Sequence, residues 1–333
     1  MMKPTTQKNH WIKKIGQLLN HGDRPWFGLI IIMSVVVIAF MVAIGYMLWI
    51  DSGPSRVAFG LSFLQPTTDP SWDPVNSNFQ AWPFIYGTLI TSIIALVIAL
   101  PVSLGIAIYL SELCPAWLRT PLNWLIELLA AIPSVVYGLW GIFVFLPQVV
   151  TPIGTYLFDI FGNVPGLGSF FAGPIPESGA SRLAASLILA IMIIPTISAV
   201  TRDVLLAIPN SQREASLALG STQWETIWKI LLPYGASGIL GAVILGLGRA
   251  LGETMAVTMV IGNSIEGTIS ILKPGYTMAS IIANEFAETV SALHTSSLIE
   301  IGFSLFVMTL LLNMLARLLV WSVTRKTPQE ARA

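Results

Sequence analysis

The sequence predicts an all-α membrane protein with six transmembrane helices. Hydrophobic residues make up 54% of its 333 residues and charged residues only 10%, whereas a soluble domain usually carries about 25% charged residues. Six apolar stretches are each long enough to cross roughly 30 Å of hydrocarbon as a helix. The single cysteine, Cys114, excludes an intramolecular disulfide and a cysteine-based metal cluster. The net charge of zero gives no reason to expect nucleic-acid binding.

The first apolar stretch, residues 27–50, follows a polar and basic segment of residues 1–26. We expect this segment to be a cytoplasmic N-terminal tail. Two structures remain open for it: a helix in the headgroup layer with Trp11 and Leu18 on its apolar face, or a disordered tail. The apolar stretch is longer than a signal-peptide core and lacks a small-residue cleavage site, so we interpret it as an uncleaved anchor.

Five further spans complete a transmembrane domain of residues 27–322, which a C-terminal tail of residues 323–333 follows. They are predicted at about 84–110, 123–147, 182–200, 234–261 and 298–322. Three of them contain a proline, at Pro101, Pro133 and Pro195. Neighbouring helices or waters can satisfy the backbone groups that a proline frees, so we expect kinked helices packed in a bundle.

The distribution of basic residues orients the spans. Most of the 17 Lys and Arg residues lie in the N-terminal tail, in loops 112–121 and 201–233, and from Arg317 to the end. The opposite side carries Arg56, Arg182 and Lys273. The positive-inside rule therefore predicts that both termini and the 201–233 loop are cytoplasmic.

The outer side is predicted to have long loops at residues 51–82 and 148–178 and a short amphipathic helix within 276–293. These loops either receive a soluble outside partner or are simple connectors. The three histidines show no ligand spacing, and we interpret them as surface residues: His10, His21 and His294. Three charged side chains near span ends are expected to reach the membrane interface: Glu127, Arg182 and Glu300.

A charged pair inside the fifth span, Arg249 and Glu253, is the most informative intramembrane feature. Either ion at the bilayer centre costs at least about 2.5–3.5 kcal/mol on insertion scales, so both should face protein or water. A spacing of four places them on one helical face, where they can pair. Two interpretations remain open. The pair fixes helix packing, or Arg249 is a positive point on an anion's path and Glu253 positions or gates it.

Motifs for phosphate loops, zinc proteases and serine hydrolases are missing from the sequence. The glycines at Gly246, Gly248 and Gly252 lack the GxGxxG spacing of a dinucleotide site. Gly248 and Gly252 instead form a GxxxG pair, which predicts close helix packing. We therefore expect neither an enzyme, nor a metal site, nor a cofactor bound by this chain.

A polar segment from Glu214 to Pro233 interrupts the apolar sequence on the cytoplasmic side. Its small and polar residues, the central Gly220 and the terminal Pro233 predict a short helix, a turn and a second short helix that ends as the chain re-enters the membrane. Such a segment suits a knob that docks into a socket on a soluble partner.

This segment resembles the EAA loop of ABC importer permeases, which reads EAA-x3-G-x9-I-x-L-P. Glu214, Ala215 and Gly220 match the pattern, and Ser216 takes the place of the second alanine. The similarity extends to the PstC family of phosphate permeases through three stretches: GTLITS at 87–92, IPSVVYG at 132–138 and GRALGET at 248–254.

The resemblance implies a type I ABC importer permease bundle of the MetI-like kind in the bacterial inner membrane. It implies a permease subunit that forms half of the translocation pathway for phosphate. The implied partners are a PstA-like second permease, a PstB-like ATPase dimer that holds ATP and magnesium, and a PstS-like phosphate-binding protein. By position, Glu214, Ala215, Ser216 and Gly220 would couple to the ATPase, and Arg249 and Glu253 would belong to the pathway.

Three alternatives remain. The chain could be a permease for another oxyanion such as sulfate, molybdate or phosphonate. It could be an ion-coupled secondary transporter, which predicts several buried carboxylates, whereas only Glu253 lies deep in a predicted span. It could be a membrane scaffold or sensor, which has no need of a buried arginine and glutamate. We also expect Gly220→Asp to crowd the coupling turn and uncouple the permease.

Overall fold

The computed structural model describes residues 24–66, 71–265 and 267–325. The expected helix near the N-terminus and most of both tails lie outside the described residues. Contacts divide the chain into residues 1–51 and residues 52–333. In the first unit, helix α1 (Arg24–Asp51) contains an apolar stretch with a mean hydropathy of 3.0, which confirms the first predicted span.

The second unit begins with short elements on the predicted outer side. Helix α2 (Gly53–Phe59) and a 3-10 turn (Gly60–Leu64) precede a small antiparallel hairpin of β1 (Trp72–Asp73) and β2 (Asn78–Phe79). Trp72 pairs with Phe79 across this hairpin. The outer loop 51–82 is therefore more ordered than its turn-rich composition alone suggests.

The rest of the unit consists mainly of helices of different lengths. In chain order the helices are α3 (Trp82–Ile108), α4 (Ala116–Ala131), α5 (Ser134–Trp140), α6 (Thr151–Phe161), α7 (Arg182–Leu206), α8 (Asn210–Ala218), α9 (Gln223–Thr226), α10 (Leu232–Gly252), α11 (Met255–Val260), α12 (Met278–Glu285) and α13 (Ala292–Arg325). A π-helical turn ends α3 (Tyr109–Leu113), and π-helical stretches join α5 to α6 (Gly141–Val150) and α9 to α10 (Ile227–Leu231). A 3-10 turn, Phe286–Glu288, follows α12.

Within the described residues, six helical segments are long and apolar enough to cross a membrane, which confirms the predicted number. They are Trp26–Asp51, Trp82–Leu113, Ser134–Phe161, Arg182–Leu206, Gln223–Gly252 and Ala292–Leu318. Pro101 lies inside α3 and Pro195 lies inside α7, as predicted for the second and fourth spans.

The third span differs from the prediction of residues 123–147. The chain breaks at Ile132 and Pro133, where Ile132 is extended (φ −62°, ψ 128°). A residue before proline avoids the α conformation because the proline ring crowds it. Pro133 therefore separates α4 from α5 instead of kinking one helix, and the span continues to Phe161.

The fifth span begins at Gln223 instead of residue 234 and ends at Gly252 instead of residue 261. The predicted end of the second short helix at Pro233 is wrong. Pro233 lies in the first positions of α10, directly after the π-helical stretch.

Helix α7 lies at the centre of the second unit, and 67% of its most apolar window is buried. It packs against α3, α10 and α4. A Cβ built on Gly246 would lie 2.6 Å from the side chain of Ile197, so this glycine lets α10 approach α7. A Cβ on Gly248 or Gly252 would meet nothing within 4 Å in the described chain. The packing role predicted for the GxxxG pair is therefore filled by Gly246.

An apolar cluster on the predicted outer side contains residues of the hairpin, α12 and α13. His294 is buried beside it. The imidazole is 3% exposed and stacks on Phe79 with ring centroids 5.2 Å apart. Its Nε2 lies 3.0 Å from Oε2 of Glu285, which also accepts a hydrogen bond of 2.7 Å from Nε1 of Trp72. The interpretation of His294 as a surface residue is wrong, because the hairpin and α12 cover it.

Two of the three charged residues expected at the interface are buried. Arg182 is 1% exposed, and its Nη1 donates to the carbonyl oxygen of Ser270 at 2.8 Å. Glu300 is 4% exposed within α13, which α2 covers through hydrogen bonds of Ser55. The side chain of Glu127 is 60% exposed, as predicted. The outer elements, which the sequence left as loops, cause the difference.

The amphipathic helix predicted within 276–293 is confirmed in part. Helix α12 buries Met278 and Ile281 but ends at Glu285. Phe286 and Val290, which follow α12 within the predicted range, are exposed.

Candidate functional site

Arg249 lies on α10 and points into a groove between membrane-spanning helices. Its Nη1 donates a hydrogen bond of 3.2 Å to Oγ1 of Thr196 on α7. The groove has a volume of about 530 Å³, and it is lined by Thr196, Gly241, Ile244, Leu245, Gly248, Arg249 and Asn313. Helices α7, α10 and α13 thus contribute a hydroxyl, a guanidinium and an amide to one open groove on the face of the bundle.

Glu253 does not pair with Arg249 in the described chain. Helix α10 ends at Gly252, and Glu253 is extended (φ −70°, ψ 124°), so the two residues are not on one continuous helical face. The Glu253 carboxylate instead accepts a hydrogen bond of 3.3 Å from the backbone N–H of Ala256 at the start of α11. The predicted pairing is wrong, and the guanidinium of Arg249 faces the groove without a carboxylate partner among the described residues.

The break after α10 lies near the break after α4. Helix α5 packs on α11 so closely that a Cβ on Gly138 would lie 2.5 Å from Sδ of Met259. Across the first break, the Tyr137 hydroxyl donates to the carbonyl oxygen of Leu129 at 2.9 Å. Non-helical backbone at membrane depth occurs where it is buried in protein or lines a cavity. Both breaks fall in the stretches that carried the family resemblance, 132–138 and 248–254.

Sequence reasoning missed Thr196 and Asn313 as neighbours of Arg249. Each is a polar residue inside a predicted span, and a polar residue in a span is a signal for a functional position. The sequence could not show that they meet, because the packing of α7, α10 and α13 brings them together.

The polar segment that is predicted to be cytoplasmic folds as two helices around Gly220. Gly220 has a positive φ of 89°. Its N–H donates to the carbonyl oxygen of Leu217 at 2.9 Å, and the N–H of Ser221 donates to that of Ser216 at 3.3 Å. This bonding pattern is the Schellman motif that ends a helix. Thr222 then starts α9 with a capping box, so the predicted helix, turn and helix are confirmed.

The four predicted coupling residues have different surroundings. Glu214 and Ala215 are exposed on α8, and Gly220 is exposed at the turn. Ser216 is buried, and its Oγ lies 2.9 Å from Oγ1 of Thr226 on α9. The serine in place of alanine therefore bonds the two helices to each other. Which of these residues contacts a partner stays a prediction.

Sequence reasoning also missed Arg213, which lies on α8 directly before this segment. It forms a two-pronged ion pair with Glu112 at the end of α3. Its position next to Glu214 gave no signal beyond a basic residue in a cytoplasmic loop.

Comparison with known proteins identifies the family of this chain. The family of binding-protein-dependent transport system inner membrane components matches residues 99–326. The phosphate transport system permease protein PstC of Xylella fastidiosa is 46% identical over 294 residues, 88% of this chain and 89% of that protein. The PstC of Haemophilus influenzae is 47% identical over 289 residues, 87% of this chain and 90% of that protein.

A solved structure shows the same fold at lower similarity. A chain of the bacterial alginate ABC transporter, crystallised in complex with an alginate pentasaccharide-bound periplasmic protein, matches with a TM-score of 0.58 and 16% identity. The match covers 90% of this chain and 96% of that chain. At this identity, the likeness supports the fold alone.

Proposed function

This chain belongs to the family of binding-protein-dependent transport system inner membrane components, and on that premise we propose how it works as the permease subunit of an ATP-driven phosphate importer. It is a multi-pass inner membrane protein with six spans. Its relatives are phosphate permeases along nearly nine tenths of its length, which supports phosphate over the sulfate, molybdate and phosphonate alternatives.

One observation supports the proposed pathway: the Arg249 guanidinium lies in an open groove of about 530 Å³ between membrane-spanning helices. A planar guanidinium offers paired N–H donors that suit the oxygens of a phosphate-like anion. Thr196 and Asn313 add a hydroxyl and an amide to the same groove, and both groups can donate hydrogen bonds to an anion. We assign this groove to the half of the translocation pathway that the chain contributes.

Glu253 has a different proposed role because it does not neutralise Arg249. Its carboxylate bonds to the first turn of α11 and so helps to hold the break between α10 and α11. We propose that Glu253 positions this break beside the groove and that a change in its bond to Ala256 accompanies opening or closure.

Transport by this family depends on an ATPase and a substrate-binding protein. We propose a PstB-like ATPase dimer, which holds ATP and magnesium, a PstS-like phosphate-binding protein and a PstA-like second permease. The exposed Glu214 and Ala215 and the turn at Gly220 are the proposed contact with the ATPase, on the cytoplasmic side together with both termini. A cytoplasmic coupling loop places the outer loops on the opposite side of the membrane, and we propose that they receive the binding protein.

The test is ATP-dependent uptake of radiolabelled phosphate into proteoliposomes that contain the assembled complex. Unlabelled phosphate, sulfate and molybdate compete in parallel samples with the cognate binding protein present. We expect uptake that requires ATP and that only phosphate suppresses. Suppression by sulfate or molybdate would reassign the cargo, and uptake that continues without ATP would contradict an ATP-driven importer.

A further inference from the structure

Arg213 on α8 makes five hydrogen bonds, which equals the number of N–H groups that an arginine side chain offers. Two go to Glu112 at the end of α3: Nε to Oε2 at 3.1 Å and Nη2 to Oε1 at 2.8 Å. The pair is sheltered, with the two side chains 18% and 13% exposed. A paired fork of this kind fixes the orientation of both side chains.

The same guanidinium also bonds the end of α7. Nη2 donates to the carbonyl oxygen of Leu205 at 2.8 Å, and Nη1 donates to that of Ile208 at 2.7 Å. The last carbonyls of a helix have no partner within the helix, so a cation placed there satisfies them and suits the helix dipole. One side chain of α8 thus joins the ends of α3 and α7.

An apolar cluster packs around the point where Arg213 joins the ends of α3 and α7, here called the joint, and connects it to the helix bundle. It contains Ala107 and Ile108 from the end of α3, Leu205 and Ile208 from the end of α7, and Ile227 and Leu231 from the stretch before α10. Helices α3 and α7 also pack together along their length. Helix α7 carries Thr196, the hydrogen-bond partner of Arg249 in the groove.

We propose that Arg213 is a positioning residue that transmits a displacement of α8 to α3 and α7. This inference rests on the proposed function, in which an ATPase moves α8. When α8 shifts, the fork to Glu112 and the bonds to the α7 carbonyls carry the ends of both helices with it. Because α7 reaches the groove, the movement changes the surroundings of Arg249.

The same cytoplasmic segment contains a second ion pair that joins no other element. Lys229 and Glu225 are separated by four positions on one helical stretch, and Nζ of Lys229 lies 3.0 Å from Oε1 of Glu225. Their side chains are 71% and 43% exposed. Exposed pairs of this kind contribute little to stability. Lys229→Gln is therefore a matched control, since it also removes one cation and one ion pair from the segment.

The experiment compares the native complex with Arg213→Gln, Arg213→Lys, Glu112→Gln and Lys229→Gln in proteoliposomes. It measures phosphate taken up per ATP hydrolysed, together with assembly and the rate of ATP hydrolysis. We expect the ratio to fall about tenfold in Arg213→Gln and Glu112→Gln, since each loses charge-assisted hydrogen bonds. The ratio for Arg213→Lys should lie between the ratios of these two variants and that of the native complex, because lysine keeps the charge but loses the fork. Lys229→Gln should match the native complex.

A ratio that stays at the native value in Arg213→Gln and Glu112→Gln would overturn the proposal, even with weaker assembly, because it would show a structural role alone. Arg213→Lys covers the case in which the glutamine variants fail to assemble, and a native ratio in it would also overturn the proposal. The double variant Glu112→Gln with Arg213→Gln should be no worse than Arg213→Gln alone, because Arg213→Gln already removes the fork to Glu112; additive losses would overturn the proposal. Failure of the native complex to link phosphate uptake to ATP would instead refute the proposed function.

Discussion

Gly220 gives the sharpest prediction about the coupling turn. Its φ of 89° lies in the left-handed region, which costs a residue with a Cβ about 1–2 kcal/mol. A Cβ at this position would meet nothing within 4 Å in the described chain. The expectation that a side chain crowds the turn is therefore wrong within this chain, and the damage should come from backbone strain.

The magnitude follows from this strain. If Gly220→Ala destabilises the turn by about 1–2 kcal/mol, the ratio of folded to unfolded turn falls by about 5- to 30-fold. Gly220→Asn should be milder, because asparagine tolerates left-handed backbone better than alanine does. Binding of the purified permease to its ATPase, measured by titration, should then rank native, Gly220→Asn and Gly220→Ala in that order. Hydrogen exchange of residues 216–226 should rise in the same order.

The ranking also separates strain from contact with the partner. If the ATPase leaves no room for a side chain at Gly220, the larger asparagine should bind worse than alanine. Equal binding and equal exchange for all three proteins would refute the strain argument, and with it the importance of a glycine at this turn.

Three further predictions concern stability. Ser216→Ala should destabilise the folded helix-turn-helix by about 1 kcal/mol, because it removes a buried hydrogen bond between hydroxyl groups of its two helices. Hydrogen exchange of the segment measures this loss, and unchanged exchange would contradict the prediction. Gly87→Ala should lower the free energy of unfolding of the chain in detergent by about 1–3 kcal/mol or more, because its Cβ would collide with the backbone of the loop before α12. Gly248→Ala is the control: its Cβ meets open space in the described chain, so the free energy of unfolding should change little. Hydrogen bonds from the side chain and backbone of Asn76 hold the pKa of the Asp73 carboxyl below its usual value. The hairpin turn should therefore keep this stabilisation at neutral pH and lose it as the pH falls through that lowered pKa. Asp73→Asn should remove this pH dependence of the protection of the turn, measured as hydrogen exchange relative to the unfolded chain at each pH.

The sequence predicted the bundle well because its signals are local and repeated. Six apolar stretches and the bias of basic residues to one side need no knowledge of packing. The coupling turn was equally readable, since a glycine between two polar helices marks a left-handed helix end. The helix limits at Pro133 and Pro233 were wrong for a local reason: whether a proline breaks, kinks or begins a helix depends on the backbone around it.

The site was predicted only in part because it depends on contacts between distant residues. The spacing of Arg249 and Glu253 suggested a pair on one helix, but the chain leaves the helix at Glu253. Burial of His294 and Arg182 depends on outer elements that the sequence presented as loops. The joint at Arg213 connects residues about a hundred positions apart, and no spacing rule reaches that far.

Arg249 is proposed to supply a positive point on the path of phosphate. ATP-dependent uptake of radiolabelled phosphate into proteoliposomes tests this role most directly, with the native chain, Arg249→Gln or Arg249→Lys at equal assembly and equal ATPase binding. We expect Arg249→Gln to lose at least about tenfold in uptake, because a charge-assisted contact is removed, and Arg249→Lys to retain more. Native uptake by Arg249→Gln in fully assembled complexes would exclude this role and leave Arg249 as a residue of helix packing.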